Sequence, residues 1–250
     1  MIVVIGATGN VGRPLVGQLL DRGAAVRALT RNPERAALPE GAQVVRADLA
    51  GAVASGSGLG PLLDGADALH LNLAATGPEA AHALVRAAVE ARVGRLVLLS
   101  SSSVTDTEAD ESNFISKMHV TVERAIRDSG LPWVFVRAGM FATNTLEFAE
   151  QLRHGDVVRG PSDAAEVSPV HEADIAAVSA VALTDTSGGL LGTTPVVTGP
   201  ASLKRSDLVR AIGTALGREL RYEELSHEEA LRVMTEEQGV PRPVAEAVLE

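Results

Sequence analysis

The sequence predicts a doubly wound α/β fold, in which helices cover both faces of a parallel sheet. The chain begins with an apolar run at residues 2–5, a glycine-rich turn at 6–12 and an amphipathic stretch at 14–20, which is the order strand, turn, helix. Strand-like and helix-like segments then alternate as far as residue 137, as the crossover connections of a parallel sheet require. With 250 residues, 46% of them hydrophobic, the chain is long enough to bury a substantial core.

The elements of the first half follow in order from periodicity and turn residues. Apolar runs predict strands at residues 25–30 and 42–46, with a short helix at 33–37 between them. The glycine- and serine-rich piece at 51–60 predicts a loop. A helical turn at 62–64 then leads into a fourth strand at 68–73.

The second half of the sheet is predicted in the same way. Apolar residues at helical spacing predict a helix at 78–91, which precedes the most apolar strand, at 95–99. A further helix at 113–129 ends before Gly130, since glycine commonly follows a helix, and the sixth strand spans 132–137. Ligands in such sheets bind beyond the carboxyl ends of the strands.

Composition excludes several classes of function. The formal net charge is -10 and aromatic residues make up 2% of the chain, whereas nucleic-acid surfaces are basic and stack bases on aromatic rings. No cysteine is present, and the histidines and carboxylates show no metal-ligand spacing. Met1 leads directly into the first strand, and no apolar run is long enough to span a bilayer. We therefore predict a cytoplasmic monomer or homodimer with a small-molecule partner and no nucleic-acid, membrane or metal partner.

The glycine-rich turn has the spacing of a dinucleotide-binding site. Its three glycines allow a tight turn, a close approach of the backbone to a pyrophosphate, and close packing of the helix on the strand. Phosphates bind at the helix N-terminus because unpaired N–H groups and the helix dipole favour negative charge there. The predicted phosphate-binding residues are Gly6, Thr8, Gly9, Asn10, Val11 and Gly12.

The end of the second strand predicts which dinucleotide binds. Arg31 lies about twenty residues beyond the turn, where this kind of fold places the residue that contacts the ribose. An Asp or Glu there favours NAD, whereas the planar guanidinium of Arg31 suits a 2′-phosphate, with Arg13 and Arg35 as candidate second contacts. We therefore predict NADP(H) as the cofactor. The alternative is that Arg31 is an ordinary surface arginine.

Several motifs occur together along most of the chain. They are the turn at 6–12, the strand end at 29–31, residues 47–49, the serine cluster at 100–103, residues 129–133 and residues 169–176. In this combination the chain resembles the NmrA-like branch of the atypical short-chain dehydrogenases/reductases. The resemblance implies a Rossmann core at 1–140, with NADP lying across the strand ends. It also implies a small C-terminal substrate lobe at 141–250, interleaved with the core in a single compact unit.

The same resemblance implies roles for individual residues. Asp48 is expected to contact the adenine, residues 72–74 to line the ribose side and residues 139–141 to lie near the nicotinamide. His171 and Asp174 resemble a structural signature of the lobe junction. The cofactor-binding residues predicted outside the turn are Arg31, Asp48, Leu49, Asn72, Leu73, Ala74, Ser101, Lys117, Gly139, Met140 and Phe141.

The C-terminal residues predict few elements of their own. A short helix carries one apolar face, which is either core or a wall of a substrate pocket. The residues of this face are Phe141, Leu146, Phe148 and Leu152. A turn at 155–160, a helix at 206–216 with Ser206 as its cap, and a short edge strand at 221–225 follow.

The catalytic residues depart from the pattern of the superfamily. Its ordinary members use a Ser, a Tyr and a Lys, the last two spaced Tyr-x-x-x-Lys on one helix. Here Phe114 occupies the tyrosine position, and the only tyrosine, Tyr222, lies in the C-terminal lobe. Lys117 follows Phe114 after three residues instead of four. The chemistry therefore needs another source for any proton.

Three side chains remain as catalytic candidates. Lys117 either holds the nicotinamide ribose or is a surface residue. His119 shares a helix face with Glu123 and either supplies a proton or is a structural histidine. Ser102, with Ser101 next to it, either donates a hydrogen bond to a carbonyl that gains negative charge or belongs to an ordinary polar loop.

Two functions of different classes follow. The first is an NADPH-dependent reductase, a ketoreductase-like enzyme acting on a ketone or quinone of a small, largely apolar metabolite such as an aromatic polyketide of secondary metabolism. The second is an NADP-sensing regulatory protein that binds a partner protein and catalyses nothing. The missing tyrosine favours the sensor, whereas Lys117 and the serine cluster favour the enzyme, and we predict the enzyme.

Overall fold

The computed structural model describes residues 1–249 and contains one large parallel sheet. The strands of this part of the chain are β1 (Ile2–Ile5), β2 (Val26–Thr30), β3 (Gln43–Arg46), β4 (Ala68–Asn72), β5 (Arg95–Ser101), β6 (Trp133–Ala138), β7 (Val157–Gly160), β8 (Val196–Val197) and β9 (Arg221–Glu224). The large sheet has the order β3-β2-β1-β4-β5-β6-β8, and all neighbouring strands are parallel. β7 and β9 form a separate parallel pair.

Helices cover both faces of the large sheet. They are α1 (Gly12–Asp21), α2 (Leu49–Ala54), α3 (Leu73–Glu90), α4 (Phe114–Asp128), α5 (Ala149–His154), α6 (Glu172–Thr184), α7 (Arg205–Leu216), α8 (His227–Arg232) and α9 (Arg242–Leu249). α2, α3 and α4 pack on one face, and α1 and α6 pack on the other. The predicted doubly wound α/β class is therefore confirmed.

Successive residues of the central strands face opposite layers. In β1, Val3 and Ile5 pack towards α3, whereas Ile2 and Val4 pack towards α1. All four side chains are buried. Because both faces are covered, these strands have the continuous apolar sequence typical of parallel sheets.

The structure corrects two predictions about irregular segments. The loop predicted at 51–60 begins inside α2, because the carboxylate of Asp48 accepts a hydrogen bond from the Gly51 N–H at 3.1 Å and starts a helix. The turn predicted at 155–160 contains β7, which pairs with β9 much later in the chain. Four residues without a period of their own do not reveal such a pairing.

Three further elements differ from the sequence predictions. α7 begins at Arg205, and Lys204 rather than Ser206 is its cap, since the Asp207 carboxylate accepts a hydrogen bond from the Lys204 N–H at 3.1 Å. α6 was not predicted because its residues are apolar on nearly every side and show no helical period. The predicted apolar helix from Phe141 is a 3₁₀ segment, Ala142–Phe148, followed by α5.

The C-terminal residues contribute to two places in the fold. Phe148 and Leu152 pack with Val158 of β7 and with Leu208 and Val209 of α7 in a small separate core. α6 and β8, in contrast, complete the large sheet and its covering layer. The division at residue 140 stays a prediction.

Two classes of feature are absent from residues 1–249. No helix in this range is both long and apolar enough to cross a membrane. No group of three or more histidine, aspartate or glutamate side chains in the same range is placed to hold a metal ion.

His70 is a histidine inside the apolar sheet. It lies on β4 with no exposed surface, between Leu69 and Leu71, which face the opposite layer. Among residues 1–249, the buried side-chain nitrogen and oxygen atoms without a hydrogen-bond partner are the two ring nitrogens of His70 and the hydroxyl of Ser179 on α6. Burial lowers the pKa of His70 to about 4, although a backbone contact with Ile5, outside hydrogen-bond geometry, opposes the shift. The ring is therefore neutral at neutral pH.

We predict that His70 makes the fold sensitive to acid. The pKa of His70 is lower in the folded than in the unfolded chain. The neutral ring therefore makes its full contribution to the free energy of unfolding above the unfolded pKa, and this contribution is lost as the pH falls from about 6.5 to 4. The expected loss in the free energy of unfolding is about 3 kcal/mol over this range. Urea denaturation at a series of pH values measures it.

A matched pair of variants isolates this effect. His70→Leu removes the titrating ring and should flatten the pH dependence in this window, without lowering stability at pH 7, because it also removes two unpaired polar atoms. His227→Leu changes an exposed histidine and should leave the pH dependence unchanged. Identical pH profiles for His70→Leu and the parent protein would contradict the assignment.

Candidate cofactor and substrate site

The carboxyl ends of the central strands meet at one edge of the large sheet. The chain builds β2 and β3 on one side of β1, and later β4, β5 and β6 on the other side. A crevice opens where the strand order reverses, between β1 and β4, and such crevices are where α/β sheets bind ligands. The glycine-rich turn, Arg31, Asp48, Ser102 and Gly139 all follow strands at this edge.

Two positions of the turn require glycine. A Cβ on Gly12 would lie 2.0 Å from the Gly6 carbonyl oxygen and 2.8 Å from the Ala7 Cα, both backbone atoms. Gly6 has a φ of +71°, and a Cβ there would lie 3.1 Å from the Cβ of Ala75. A Cβ on Gly9 would meet only the Gly6 carbonyl oxygen, at 3.3 Å. The turn therefore has the bare backbone and the tight helix start that fit the pyrophosphate of a dinucleotide.

A cavity of about 320 Å³ extends from the turn along the ends of β2 and β3. Arg31 and Arg35 line it, both are exposed, and neither side chain makes a hydrogen bond or ion pair within residues 1–249. Arg13 is committed elsewhere, since its Nη1 donates to the carbonyl oxygens of Ala36 at 2.9 Å and Ala37 at 2.5 Å. The two available guanidinium groups suit a 2′-phosphate.

Arg46 holds the backbone next to this pair. Its Nη1 donates to the Arg31 carbonyl oxygen at 2.8 Å, and its Nη2 forms an ion pair with Glu34. The Arg31 main chain is therefore fixed to β3, while the Arg31 guanidinium remains available to a ligand.

Asp48 and Asn72 begin helices that border the cleft. The Asp48 carboxylate caps α2 and also lines the cavity, together with Leu49 and Ala74. Asn72 Oδ1 accepts a hydrogen bond from the Ala74 N–H at 3.0 Å and so caps α3. Leu73 is buried and does not line the cavity. The cofactor contacts of these residues stay predictions.

The other end of the cleft is formed where β5 and β6 end. The Ser102 N–H donates to the Ala138 carbonyl oxygen at 2.9 Å, and the Ser102 Oγ is 3.9 Å from where a Cβ on Gly139 would lie. Ser102 is exposed, and its hydroxyl makes no hydrogen bond within residues 1–249. The Ser101 hydroxyl, in contrast, is bonded to the Ser103 hydroxyl at 2.9 Å. Ser102 therefore has the more available hydroxyl.

Met140 and Phe141 continue from this end into the lobe. The Val170 N–H donates to the Met140 carbonyl oxygen at 2.9 Å, and the Ala142 N–H donates to the Val170 carbonyl oxygen at 2.9 Å. Both side chains are half-buried, with Met140 against the small C-terminal core and Phe141 against the core of the large sheet. This segment therefore connects the cleft to the lobe.

One side of α4 faces the end of β5. The Ser116 hydroxyl donates to the Ser103 carbonyl oxygen at 2.7 Å, and the Glu123 carboxylate accepts a hydrogen bond from the Ser100 hydroxyl at 2.6 Å. His119 lies between Ser116 and Glu123 at helical spacing and is half-buried. The structure thus places His119 on the side of α4 that faces the strand ends.

The hydrogen bonding of His119 leaves one ring nitrogen available. Its Nδ1 lies 2.8 Å from the Ile115 carbonyl oxygen, an acceptor, so Nδ1 carries the hydrogen. Its Nε2 has no hydrogen-bond partner within residues 1–249. Burial lowers the pKa of His119, although the bond to Ile115 and the charge of Glu123 oppose the shift. Near neutral pH the ring is therefore mostly uncharged.

Lys117 lies on a different side of α4. Its Nζ is 3.9 Å from Glu111, which also forms an ion pair with Arg124, and the Lys117 side chain is 56% exposed. It does not line the cavity next to the glycine-rich turn. The structure therefore groups Ser102 and His119 at the strand ends and places Lys117 in a surface ion-pair cluster.

Neither Phe114 nor Tyr222 supplies a phenol to the cleft. Phe114 is the first residue of α4 and is 43% exposed. Tyr222 donates its hydroxyl to the Pro161 carbonyl oxygen at 2.5 Å, within the C-terminal lobe. Any proton for the reaction must therefore come from another group or from solvent.

Sequence reasoning missed a buried ion-pair network below this end of the cleft. Arg137 of β6 donates to both carboxylate oxygens of Asp106, at 2.6 and 2.8 Å, and to Glu123 at 2.7 Å. The side chains of Arg137 and Glu123 are 6% and 0% exposed. Loss of one partner from such a pair costs about 3–5 kcal/mol. The available signal was an arginine inside the apolar strand at 132–137.

The lobe junction contains two more polar residues that were not predicted. Glu172 accepts hydrogen bonds from the Thr143 N–H at 2.9 Å and from the Thr143 hydroxyl. The side-chain amide of Asn10 donates to the Thr143 hydroxyl oxygen at 3.3 Å. His171 Nδ1 accepts a hydrogen bond from the Ala173 N–H at 3.0 Å, which is the geometry of a helix cap. The residues of the junction thus contact the glycine-rich turn directly.

Known proteins are similar to this chain in sequence. A family described as NAD(P)H-binding matches residues 6–186. The chain is 38% identical to a (4-alkanoyl-5-oxo-2,5-dihydrofuran-3-yl)methyl phosphate reductase of Streptomyces griseus, over 100% of this chain and 85% of that protein. It is 30% identical to an NAD(P)H azoreductase of Xenophilus azovorans, again over 100% of this chain and 85% of that protein.

Solved structures show the same similarity. An NADPH-dependent quinone oxidoreductase from Escherichia coli superposes with a TM-score of 0.81 at 25% identity, over 100% of this chain and 86% of that one. A triphenylmethane reductase from Citrobacter sp., solved with NADP(H), superposes with a TM-score of 0.81 at 21% identity, over 100% of this chain and 87% of that one. The second likeness shows the fold alone.

We predict that Gly12→Ala disrupts the turn. The added Cβ meets two backbone atoms, so α1 must move away from β1. We expect a lower melting temperature and at least about tenfold weaker NADPH binding, since the N–H groups at the helix start move out of position for hydrogen bonds to the phosphates. Thermal unfolding and NADPH fluorescence titration measure the two effects.

Gly17→Ala is the matched control in the same helix. Its added Cβ has only Pro39 Cγ nearby, at 3.9 Å. This variant should be more stable by about 0.5–1 kcal/mol, because alanine is the better helix former, and should bind NADPH normally. Normal NADPH binding by Gly12→Ala would show that the close contact is not required.

Proposed function

This chain belongs to the NAD(P)H-binding family and is an NAD(P)-dependent oxidoreductase, and on that basis we propose that it uses NADPH to reduce a conjugated carbonyl of a small, largely apolar molecule. The resemblance to the NmrA-like atypical short-chain dehydrogenases is confirmed by the family match and by the reductase relatives. The substrate itself is a proposal, argued from the residues at the two ends of the cleft.

Arg31 and Arg35 support a preference for NADPH over NADH. Both guanidinium groups line the cavity at the end of β2 and lack partners within residues 1–249. Two uncompensated positive charges at the ribose end favour a 2′-phosphate dianion over a neutral hydroxyl. No carboxylate side chain follows β2 directly to bind a ribose diol in its place, since the next residue after Arg31 is Asn32.

The proposed class of acceptor is inferred from Phe114, which stands where ordinary members of the superfamily have a tyrosine. Hydride addition to an isolated ketone creates an alkoxide, which is strongly basic and needs a proton donor close to it. The phenol that serves this purpose in ordinary members of the superfamily is absent here. Addition to a conjugated acceptor spreads the new charge over several atoms and produces a much weaker base, so that a strong donor at the reacting atom is not needed.

The activities of the related enzymes support the same class of acceptor. Their names give a (4-alkanoyl-5-oxo-2,5-dihydrofuran-3-yl)methyl phosphate, whose furan ring carries a phosphate ester, and also an azo compound and a quinone as the groups reduced. Each of these groups takes up hydride into a conjugated system. A quinone or an unsaturated ketone of polyketide type therefore suits this chain better than a saturated ketone.

The residues at the nicotinamide end would then have two tasks. Bound NADPH supplies the hydride, and one proton from solvent or protein completes a two-electron reduction. The available Ser102 hydroxyl donates a hydrogen bond to the acceptor oxygen as negative charge develops there. His119 Nε2 delivers a proton when the ring is charged, which its lowered pKa restricts to mildly acidic pH.

A sensor without catalysis is the alternative function that the sequence allows. Its support was the missing tyrosine. A conjugated acceptor does not need that tyrosine, so Phe114 no longer favours a sensor over an enzyme. The relatives at 38% and 30% identity are both named reductases.

We predict that Arg31→Ala weakens NADPH binding selectively. Loss of a charge-assisted hydrogen bond to the 2′-phosphate should raise the NADPH dissociation constant about 10- to 100-fold and leave the NADH value within about twofold. Arg22→Ala removes another exposed arginine, at the far end of α1, and is the control. Isothermal titration with both cofactors measures the effect. An equal change for NADH and NADPH would refute the assignment of Arg31.

We predict that conjugated acceptors react faster than their saturated counterparts. The test compares a naphthoquinone, a cyclic unsaturated ketone and the corresponding saturated ketone, with NADPH oxidation followed by absorbance. A preference of at least about tenfold for the conjugated pair is expected from the missing donor, whose contribution elsewhere is about 10²–10⁴. Equal rates would contradict the acceptor class. Tight NADPH binding without oxidation of any acceptor would favour the sensor.

The same assay separates the roles of His119 and Lys117. The rate of the parent protein should fall as the pH rises through the lowered pKa of His119, because only the charged ring donates a proton. His119→Gln should lower the rate about tenfold at mildly acidic pH and remove this dependence. Lys117→Ala should leave the rate within about twofold, since Lys117 pairs with Glu111 at the surface. The opposite ranking of the two variants would assign the site to Lys117.

A further inference from the structure

The glycine-rich turn and the C-terminal lobe are joined by a chain of side-chain hydrogen bonds. Asn10 lies in the turn between Gly9 and the start of α1, and its Nδ2 donates to Thr143 Oγ1 at 3.3 Å. Thr143 in turn donates to Glu172 Oε1 through its hydroxyl and, at 2.9 Å, through its N–H. Asn10 and Thr143 are 133 residues apart in the sequence, so this hydrogen bond joins distant parts of the polypeptide.

The ionised carboxylate of Glu172 determines which group donates in each of these hydrogen bonds. An ionised carboxylate only accepts, so the Thr143 hydroxyl hydrogen must point to Glu172. The Thr143 oxygen is then left as an acceptor for the amide of Asn10. Burial tends to raise the pKa of Glu172, but the hydrogen bonds from Thr143, with smaller contributions from the Glu172 N–H and from His171, together outweigh burial, so the net pKa is lowered. The carboxylate is therefore ionised near neutral pH, and the order of donors is unique.

The hydrogen-bonded residues Asn10, Thr143 and Glu172 belong to the glycine-rich turn, to the 3₁₀ segment after residue 141 and to helix α6. Asn10 belongs to the backbone that surrounds the pyrophosphate position. Thr143 is the second residue of the 3₁₀ segment Ala142–Phe148, which directly follows the nicotinamide end at 139–141. Glu172 is buried at the start of α6, and α6 is tied to α1 by a hydrogen bond from Gln18 Nε2 to the Ala173 carbonyl oxygen at 3.0 Å.

We propose that Asn10, Thr143 and Glu172 couple occupancy of the pyrophosphate site to the order of the lobe segment 142–148. A pyrophosphate bound by the turn immobilises the backbone of Asn10 and so strengthens its bond to Thr143. Thr143 then holds the first turn of the segment against α6. Thr143 is a positioning residue in this scheme, and the lobe is ordered for substrate only after the cofactor has bound. The inference rests on cofactor binding and not on the acceptor class.

The test separates this coupling from direct contact with the nicotinamide. ADP-ribose 2′-phosphate carries the pyrophosphate and the 2′-phosphate but no nicotinamide, so any protection of the lobe by this ligand does not depend on contact with the nicotinamide. Hydrogen–deuterium exchange of peptides covering residues 142–148 is measured with and without this ligand at saturation. Peptides covering residues 6–12 report occupancy of the turn in every sample.

Three variants determine whether Thr143 carries the effect. In the parent protein we expect the ligand to slow exchange in 142–148 about fivefold or more, a modest coupling. Thr143→Val keeps the shape but removes the hydroxyl, and should lose this protection while 6–12 stays protected. Thr143→Ser restores a hydroxyl and should restore the protection. Thr145→Val is the control, because the Thr145 hydroxyl donates only to the Ala142 carbonyl oxygen, at 2.8 Å.

Two results would overturn the proposal. The first is full ligand-dependent protection of 142–148 in Thr143→Val. The second is protection of 6–12 without any protection of 142–148 in the parent protein. Failure of the acceptor assay, in contrast, would leave this exchange pattern unchanged, since no substrate takes part in it.

Discussion

The close contact between Gly12 and the Gly6 carbonyl oxygen determines where the cofactor site lies. Because not even a Cβ fits between them, α1 starts directly behind β1, which borders β4 at the point where the strand order reverses. β1 is at the centre of the strand order reversal, so the ends of β2, β4 and β5 are all positioned relative to this junction. The proposed phosphate site is thus made of backbone, which leaves the surrounding side chains available for other contacts.

The opposite end of the cleft depends on buried charge. Arg137 connects β6 to Asp106 in the loop after the serine cluster and to Glu123 of α4. Asp106 has a φ of 60°, a conformation that aspartate tolerates better than most residues, and its bidentate pair with Arg137 holds it there. The loop with Ser102 and the helix with His119 are therefore fixed to the same strand. Their relative position is a property of this network.

The two ends have different chemical requirements. The proposed binding of NADPH uses the glycine-rich turn and two available arginines, Arg31 and Arg35, and all of these border one cavity. Under the proposed function, Phe114 replaces a phenol at the other end, so that a conjugated acceptor would take up the charge of the added hydride. The hydrogen bonds from Asn10 through Thr143 to Glu172 connect the two ends. In the proposed scheme, an enzyme with a weak proton donor gains from a lobe segment that is ordered only after the cofactor has bound, because the remaining rate depends on orientation.

The sequence by itself determined the six main strands, the helices between most of them, the glycine-rich turn and the position of Arg31. These features depend on periodicity, turn residues and spacing within about thirty residues, which is the length of one βαβ unit. Only the tertiary structure decided that Arg13 and Lys117 have other partners, that His119 faces the strand ends, that β7 pairs with β9 and that Asn10 reaches Thr143. The physical reason is that a side chain's partner across the fold is set by packing between distant segments. Helix α6 illustrates this, since its residues are apolar on nearly every side, including the exposed Val181, so that no polar face marks its period in the sequence.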